Sequence, residues 1–299
     1  MLSKKKKDSL LYVVIYLCAA ITFAILVGII GYILINGLPH VSLEFLTSEY
    51  SAVKDGSKGI LPMIINTMYI VFLSLLLSVP LCICGAIFLT QYARQGPAVR
   101  LIRFATEVLA GIPSVIYGLF GYAVFVLLFG FRLSILSGSL TMMICIIPIV
   151  LRTTEESLIA VPETYREASL ALGAGKLKVT LSIVLPNAVS GIVTGVILAM
   201  GRIVGETAAL LFTVGVSGNY MPSGDNLFDA IFGHIFEQGN TLALHLYNSA
   251  MHGKDPVSVP FATAAVLLIF VFILNRAASA VNTRMGRMNT STPSSKRSK

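Results

Sequence analysis

Long apolar runs, separated by short polar segments, dominate the pattern of hydrophobic and polar positions along the chain. A helix needs about 20 apolar residues, within a range of about 17–25, to cross the hydrocarbon core of a membrane. Six runs approach or exceed that length, so the pattern predicts six transmembrane helices. They cover residues 10–35, 62–90, 112–130, 134–151, 188–215 and 257–276.

Composition agrees with this pattern and extends it to the N-terminus. Of the 299 residues, 56% are hydrophobic and only 12% are charged, whereas soluble domains average about 25% charged residues. The first apolar run is longer than the roughly 7–15 residues of a signal-peptide core, and no A-x-A-like site follows it. We therefore expect an all-α membrane protein whose first run is an uncleaved transmembrane helix.

The net charge of +8 is distributed as in a membrane protein, not as in a nucleic-acid-binding protein. The basic residues stand in the short segments between apolar runs, where Lys and Arg set membrane orientation. With the N-terminus inside, 17 of the 22 Lys and Arg residues lie in internal segments and 4 in external ones. This asymmetry predicts that both termini are cytoplasmic, and it leaves Arg202 alone within a span.

Neither the cysteines nor the histidines predict a metal site. Cys18, Cys82, Cys84 and Cys145 lie within apolar runs without the spacing of zinc ligands. We expect them to be small apolar residues at helix contacts. His234 and His245, in the external segment 216–256, are expected at an interface or on the surface rather than on a metal.

The same external segment contains "NLFDAIFGHIFEQG", which predicts an amphipathic helix with Phe228, Ile231, Phe232 and Ile235 on one face. Two interpretations stay open. The helix rests on the outer membrane face or on the other spans, or it forms part of an outer gate or a docking surface.

The cytoplasmic connection 152–187 carries the most specific motif. "GAGK" at 173–176 fails the phosphate-binding P-loop pattern, because Leu170 and Leu177 stand where Gly and Ser or Thr are needed. A longer pattern fits: Glu167-Ala168-Ser169, three residues, Gly173, nine residues, then "IVLP" ending at Pro186. It resembles the EAA loop of ABC importer permeases, with Ser169 replacing a second Ala.

Local physical chemistry predicts the shape of this loop. Pro162 suits the start of a short helix, and Glu163 suits the positive end of its dipole. Ala168 and Ser169 are small enough for a partner surface to approach closely. Gly173 is expected to end the helix and to allow a sharp turn.

Three further stretches, "INGLPHVSLEFLT", "GIPSVIYGLFG" and "GRIVGETAALLFT", extend the resemblance over roughly residues 35–280. Together with the EAA loop they resemble the permease subunits of phosphate-specific ABC importers (PstA type). The family pattern often has Pro where Ala209 stands here, which suggests a locally straighter helix.

The resemblance implies a type I ABC importer permease (MetI-like) fold in the bacterial cytoplasmic (inner) membrane. Segment 1–59 would precede a transmembrane domain at 60–280, and 281–299 would be a disordered tail. The chain itself would be no enzyme and would bind no cofactor. ATP and Mg would bind two partner ATPase subunits, and the other partners would be a homologous PstC-type permease, an external phosphate-binding protein and membrane lipid. The residues coupling to the ATPase would be Glu167, Ala168, Ser169, Gly173, Leu185 and Pro186.

Arg202 and Glu206 place two charges inside the fifth predicted span. A charged residue at a helix centre costs about 2.5–3.5 kcal/mol on insertion scales, so such residues face protein or an aqueous path. On one continuous helix they share a face with other small and polar residues. That stripe is Gly195, Ala199, Arg202, Glu206, Ala209 and Thr213.

Two interpretations of this pair stay open. Arg202 and Glu206, one turn apart, form a structural ion pair, or Arg202 lines the pathway of an anion whose attraction Glu206 moderates. A guanidinium binds phosphate oxygens through a bidentate fork. The candidate substrate-pathway residues are therefore Arg202, Glu206, Thr213 and Ser114. Ser114 and Tyr117 could equally bond a neighbouring helix, and Arg152 is a cytoplasmic anchor or an exit contact.

Three other functions are compared with phosphate import. A permease for phosphonate, sulfate or molybdate shares the EAA loop. A membrane enzyme is disfavoured because H-E-x-x-H, G-x-S-x-G and carboxylate-rich intramembrane clusters are missing. A secondary transporter or channel needs no EAA loop, and no clear inverted repeat is visible.

Overall fold

A computed structural model describes residues 4–51, 58–216, 221–222, 226, 232–252 and 255–290. Within these ranges the chain is helical, with an isolated antiparallel bridge between Tyr50 and Lys58. The helices, in chain order, are α1 (Lys4–Gly37), α2 (Leu43–Thr47), α3 (Leu61–Ile87), α4 (Pro97–Gly111), α5 (Ser114–Gly121), α6 (Ile135–Ile159), α7 (Glu163–Ala171), α8 (Lys176–Val179), α9 (Leu185–Gly205), α10 (Ala208–Thr213), α11 (Leu242–His252) and α12 (Ser258–Thr290).

Three π-helical segments lengthen these helices. Phe88–Tyr92 continues α3, Tyr122–Leu128 continues α5, and Thr180–Val184 joins α8 to α9. Five helical stretches are long and apolar enough to cross a membrane: Leu11–His40, Leu61–Tyr92, Ile135–Ile159, Lys176–Gly205 and Ser258–Ala280. A sixth span exists if the bent pair α4 and α5 counts as one. The prediction of six spans is confirmed on that count.

The third predicted span, 112–130, is only the second arm of a bent helix pair, with the bend at its start. Pro97–Gly111 and Ser114–Leu128 meet at 101°, because Ile112 and Pro113 are both extended. Proline disfavours the helical conformation of the residue before it and lacks an N–H. The Tyr117 hydroxyl donates to the Leu109 carbonyl at 2.6 Å and holds the two helices across the bend.

The fifth predicted span, 188–215, is wrong at both ends. Its helix begins at Lys176, and it stops at Gly205, where Glu206 turns extended before α10 begins at Ala208. The Glu206 side chain caps the second piece, because its Oε1 accepts the Ala209 N–H at 3.3 Å. Likewise α6 runs on to Ile159, so the cytoplasmic connection is 160–175, shorter than 152–187.

Small residues bring the central helices close together. Gly191 and Gly195 of α9 lie directly against Ser157 and Thr153 of α6, and Gly118 of α5 lies against Ala209 of α10. Close backbone approach of this kind drives helix association in membranes, where apolar surface gains little from burial. The central cluster of buried apolar residues therefore joins α3, α5, α6, α9 and α10.

Smaller clusters close the two ends of the bundle. One, with Phe45, Ile60 and Leu242, joins α2, α3, α11 and α12; the other, with Leu158, Val179 and Val184, joins α3, α6 and the start of α9. Helix α1 stands at the side. It reaches α12 through Gly37 and through an edge-to-face contact of Tyr32 with Phe261 at 5.6 Å.

Candidate functional site

Arg202 lies in the last turn of α9, directly before the break. Its guanidinium lies beside Cys145 of α6, and its charge reaches Tyr117 of α5. The side chain is partly exposed, while its Nε is buried without a hydrogen-bond partner. An always-charged group with spare donor capacity thus stands where the helix is interrupted.

Glu206 does not neutralise Arg202. Among the described residues, no carboxylate oxygen lies within ion-pair distance of the Arg202 nitrogens. The structure therefore shows no direct ion pair of the kind that one of the two interpretations contained. The physical reason is the break at Glu206, which redirects its carboxylate to the N-terminus of α10.

The break also divides the predicted stripe. Gly195, Ala199, Ala209 and Thr213 are buried inside the bundle, and the Thr213 methyl and the Thr141 side chain both press on Gly121. The Thr213 hydroxyl donates to the Ala209 carbonyl at 3.0 Å. Ser114 is partly exposed at the first position of α5. Thr213 therefore packs helices together, and Arg202, Glu206 and Ser114 keep some exposure.

A different face of α9 is exposed and polar. Asn187, Ser190, Thr194 and Gly205 are exposed along this membrane-spanning helix. Sequence analysis missed them as candidates, although Asn187, Ser190 and Thr194 recur at a spacing of three to four residues. The exposed face starts at the first turns of α9, is polar as far as Thr194, and continues through the apolar Leu198 to Gly205 at the break.

Helix α7 is the predicted coupling helix, and its bounds are confirmed. It begins at Glu163 after Pro162 and has no buried side chain. Glu167 and Ala168 are exposed, and Ser169 is partly exposed. Gly173 follows with φ +83°, the left-handed conformation that glycine adopts at least cost.

The coupling helix is attached to the bundle at one side. Arg166 binds Glu163 at 2.7 Å and donates to the Leu158 carbonyl of α6 at 2.8 Å. Leu185 packs on the cytoplasmic apolar cluster, and Pro186 opens α9. Leu185 and Pro186 thus support the loop from inside, and Glu167, Ala168 and Gly173 form its exposed part.

His234 and His245, expected at an interface or on the surface, are both buried against neighbouring segments, so the surface alternative is wrong. His234 Nε2 lies 2.7 Å from the Asn66 Oδ1 of α3, and its Nδ1 lies 3.1 Å from Glu237 Oε2. Burial lowers the pKa of His245 to about 4. In the part of the chain that the structure describes, no group of three His, Cys, Asp or Glu side chains could hold a metal.

The predicted external amphipathic helix is described only in part. Phe228 and Ile231 lie outside the described residues, and Phe232 is exposed. The carbonyls of Ile235 and Glu237 accept the N–H groups of Leu136 and Ile135 at 2.8 and 2.9 Å. The described portion therefore rests on the start of α6, as one of the two interpretations expected.

A second external cluster centres on Asp255. It lies 3.1 Å from Lys58 Nζ and accepts the Tyr50 hydroxyl at 2.9 Å. Burial, reinforced by Asp255, raises the pKa of Tyr50 to about 12. Lys58 also lies over the Tyr50 ring, 5.3 Å from its centroid. These contacts join the loop before α3 to the start of α12.

Comparison with known sequences gives one family and several full-length relatives. Residues 82–287 match the family described as "Binding-protein-dependent transport system inner membrane component". The "Probable ABC transporter permease protein YqgI" of Bacillus subtilis (strain 168) is 37% identical over 286 residues, 94% of this chain and 97% of that protein. The "Phosphate transport system permease protein PstA" of Haemophilus influenzae is 31% identical over 273 residues, 91% of this chain and 92% of that protein.

Solved structures share the fold at low identity. A bacterial alginate ABC transporter in complex with an alginate pentasaccharide-bound periplasmic protein matches with a TM-score of 0.64 at 14% identity, over 97% of this chain and 98% of that one. The inward-facing MetNI methionine ABC transporter matches with a TM-score of 0.56 at 17% identity, over 76% of this chain and 94% of that one. Both therefore support an all-helical type I importer permease fold.

Proposed function

We propose that this chain, which belongs to the family of binding-protein-dependent transport system inner membrane components, is the subunit that carries phosphate through an ATP-driven importer. Its family makes it an ABC transporter permease subunit and not itself an enzyme. With its apolar helices, it is a multi-pass protein of the bacterial inner membrane. Phosphate as the substrate is the part that we add.

Arg202 is the observation that carries this proposal. A guanidinium inside a span is costly unless it serves a partner or an aqueous path, and here no described carboxylate pairs with it. Its planar fork matches two oxygens of a phosphate. Glu206, a few residues away on the break, supplies an opposing charge that keeps the attraction moderate. Moderate attraction suits transport, because a site that holds its ion tightly prevents release.

The relatives support phosphate without deciding it. Several similar proteins bear the name phosphate transport system permease protein PstA, whereas the Bacillus subtilis relative is named without a substrate. A permease for another tetrahedral oxyanion is therefore the second candidate, since Arg202 would bind sulfate or phosphonate through the same fork.

The exposed helix α7 supports a cytoplasmic ATPase as the partner that drives transport. We propose that Glu167, Ala168, Ser169 and Gly173 contact it directly, and that Leu185 and Pro186 transmit the movement into α9. ATP and Mg would be held by two copies of that ATPase. A homologous PstC-type permease, an external phosphate-binding protein and cytoplasmic termini complete the proposal.

Uptake of labelled phosphate tests the proposed function. Cells that lack the chain are compared with cells that regain it, with unlabelled sulfate present as a competitor and with cellular ATP intact or depleted. We expect restored, ATP-dependent uptake that sulfate does not reduce. Failure to restore uptake, with the partner subunits shown to be present, would exclude phosphate and would leave the other oxyanions to be tested in the same assay.

A further inference from the structure

A cleft of about 610 Å³ opens between α6 and α9 at their cytoplasmic ends, next to α7. Most of its polar side chains come from α6 and α9, two helices that cross the membrane. Hydroxyl and amide groups are unusual at such positions. The polar side chains are Thr153, Glu156, Ser157, Tyr165, Asn187, Ser190 and Thr194. Polar groups at such positions face water or a substrate path in membrane proteins.

Along the exposed face of α9, the apolar side chain of Leu198 separates the cleft from Arg202. Thr194, its innermost residue on that helix, precedes Arg202 by eight residues, which corresponds to about 12 Å along an α-helix. Gly205 is open on the same face, with no atom that a Cβ would meet. An ion that moved from Arg202 along this face would pass Leu198 and then meet the cleft.

The hydrogen bonds of the lining side chains leave a cleft that binds water but attracts anions only weakly. Thr153, Ser157 and Thr194 donate their hydroxyl protons to carbonyls of their own helices at 2.9, 2.5 and 2.9 Å. The Asn187 amide donates likewise to Ile183 at 2.7 Å. Oxygen lone pairs are left to face the cleft, and these bind water well and anions poorly.

The rim carries no surplus positive charge. Arg152 Nε binds Glu156 Oε1 at 2.9 Å, and both side chains are about two-thirds exposed. Glu107 of α4 adds a second negative charge close enough to act on Arg152. An unpaired arginine at this place would attract a departing anion and delay it.

We propose that this cleft is a low-affinity exit subsite for the transported oxyanion. Glu156 allows the oxyanion to leave, because it neutralises Arg152. The inference rests on the proposed function for the direction of transport. It adds a residue, Glu156, whose role is to prevent retention. Arg202 attracts the anion at the break, and the cleft then releases the anion.

A double-mutant cycle on Arg152 and Glu156 tests the proposal in the assembled complex. Glu156→Gln leaves Arg152 unpaired, and Arg152→Gln leaves Glu156 unpaired, so we expect each to slow uptake roughly tenfold, the lower end of the effect of a charged lining on local ions. The double variant restores the net charge of the wild-type rim, because Glu107 is unchanged in all the variants, and should regain most of the lost rate. A double variant as slow as the singles, or singles as fast as the wild type, would overturn the proposal.

Thiol labelling in inside-out vesicles gives a readout that does not depend on transport. Thr194→Cys, in a background with Cys18→Ser and Cys84→Ser, should react with a charged, membrane-impermeant thiol reagent, and millimolar phosphate should slow the reaction. Ile273→Cys, exposed on the apolar surface of α12, is the control that should stay unreactive.

The two outcomes of labelling separate the two hypotheses. An unreactive Thr194→Cys would show that the cleft is not water-filled and would overturn the exit subsite. Labelling that phosphate does not slow, in vesicles whose wild-type complex transports phosphate, would do the same. Wild-type vesicles that transport no phosphate would instead refute the proposed function, and protection by sulfate would then test the exit subsite for that oxyanion.

Discussion

The two ends of the bundle, predicted to be the outer and the cytoplasmic end, differ in how some of their charged side chains are packed. At the outer end, Asp255 is buried with Lys58 and Tyr50, and His234 is buried with Asn66. At the cytoplasmic end, the coupling helix has no buried side chain, and the Arg152–Glu156 pair is exposed. The second end also buries Glu155, which pairs with Arg103, but the coupling helix and the Arg152–Glu156 pair there stay exposed.

This difference sets what each end contributes to stability. Exposed ion pairs are worth about 0–1 kcal/mol, whereas removal of one partner from a buried pair costs about 3–5 kcal/mol. We therefore expect outer substitutions to lower the stability of the fold. Cytoplasmic substitutions should change transport and leave the fold intact.

Among the substitutions that compare the two ends, the largest effect on transport is expected at the coupling helix. Glu167→Lys reverses a charge on its exposed face, and we expect ATP-driven uptake to fall by at least about tenfold, since a like charge placed in a docked interface costs several kcal/mol. Copurification of the ATPase and uptake are both measured. Glu44→Lys, the same change on the exposed outer helix α2, is the control that should leave ATPase binding unchanged. Equal ATPase binding by both variants would contradict the docking assignment.

The buried outer pair should give the next largest effect, on stability. Asp255→Asn deprives Lys58 of its carboxylate partner, and we expect the free energy of unfolding to fall by about 3 kcal/mol. Thermal unfolding of the purified complex measures this. Glu156→Gln, which breaks the exposed cytoplasmic pair, should shift the midpoint by far less. Equal shifts would remove the contrast between the two ends.

His245 should make the outer end sensitive to acid. Its pKa is lowered to about 4, chiefly by burial, whereas an unfolded histidine has a pKa near 6.5. Below about pH 6.5 the unfolded chain therefore binds a proton that the folded chain does not. The stabilisation is complete above that pH and is lost as the pH falls toward 4, by up to about 3 kcal/mol. Unfolding curves at pH 7.5 and 4.5 should differ less for His245→Gln; an unchanged difference would contradict this assignment.

The smallest effect is expected at the bend between α4 and α5. Tyr117→Phe removes the hydroxyl that donates to the Leu109 carbonyl, and we expect a loss of about 1 kcal/mol. The unfolding midpoint measures it, with Tyr122→Phe as a control on the π-helical continuation of α5. A larger shift for the control would contradict the role of Tyr117 in holding the bend.

The sequence predicted most of the fold because apolar length and short-range signals determine it. The spans follow from hydrophobic runs, and the bounds of α7 follow from Pro162, Glu163 and Gly173, which act on their own neighbours. The break at Glu206 was not predictable in this way. Ala209 in place of proline suggested a straighter helix, and that expectation is wrong: α9 stops at Gly205, and the Glu206 carboxylate caps the next helix through the Ala209 N–H.

The candidate site was predicted in part for the same reason. Arg202 stands out in any hydropathy pattern, but the exposed face of α9 depends on which side packs against α6. Gly191 and Gly195 decide that side by their contacts with Ser157 and Thr153. The burial of His234 likewise depends on Asn66, far away along the sequence. Such pairings are tertiary, and a periodic pattern does not contain them.

Phosphate uptake by the Arg202→Gln variant, beside Arg202→Lys, tests the central claim most directly. Both variants are first shown to assemble with the ATPase. If Arg202 serves the passing anion, Gln should reduce uptake at least about a hundredfold, because charge and fork are both lost, and Lys should retain an intermediate rate. Normal uptake by an assembled Arg202→Gln complex would contradict the claim that Arg202 serves the passing anion.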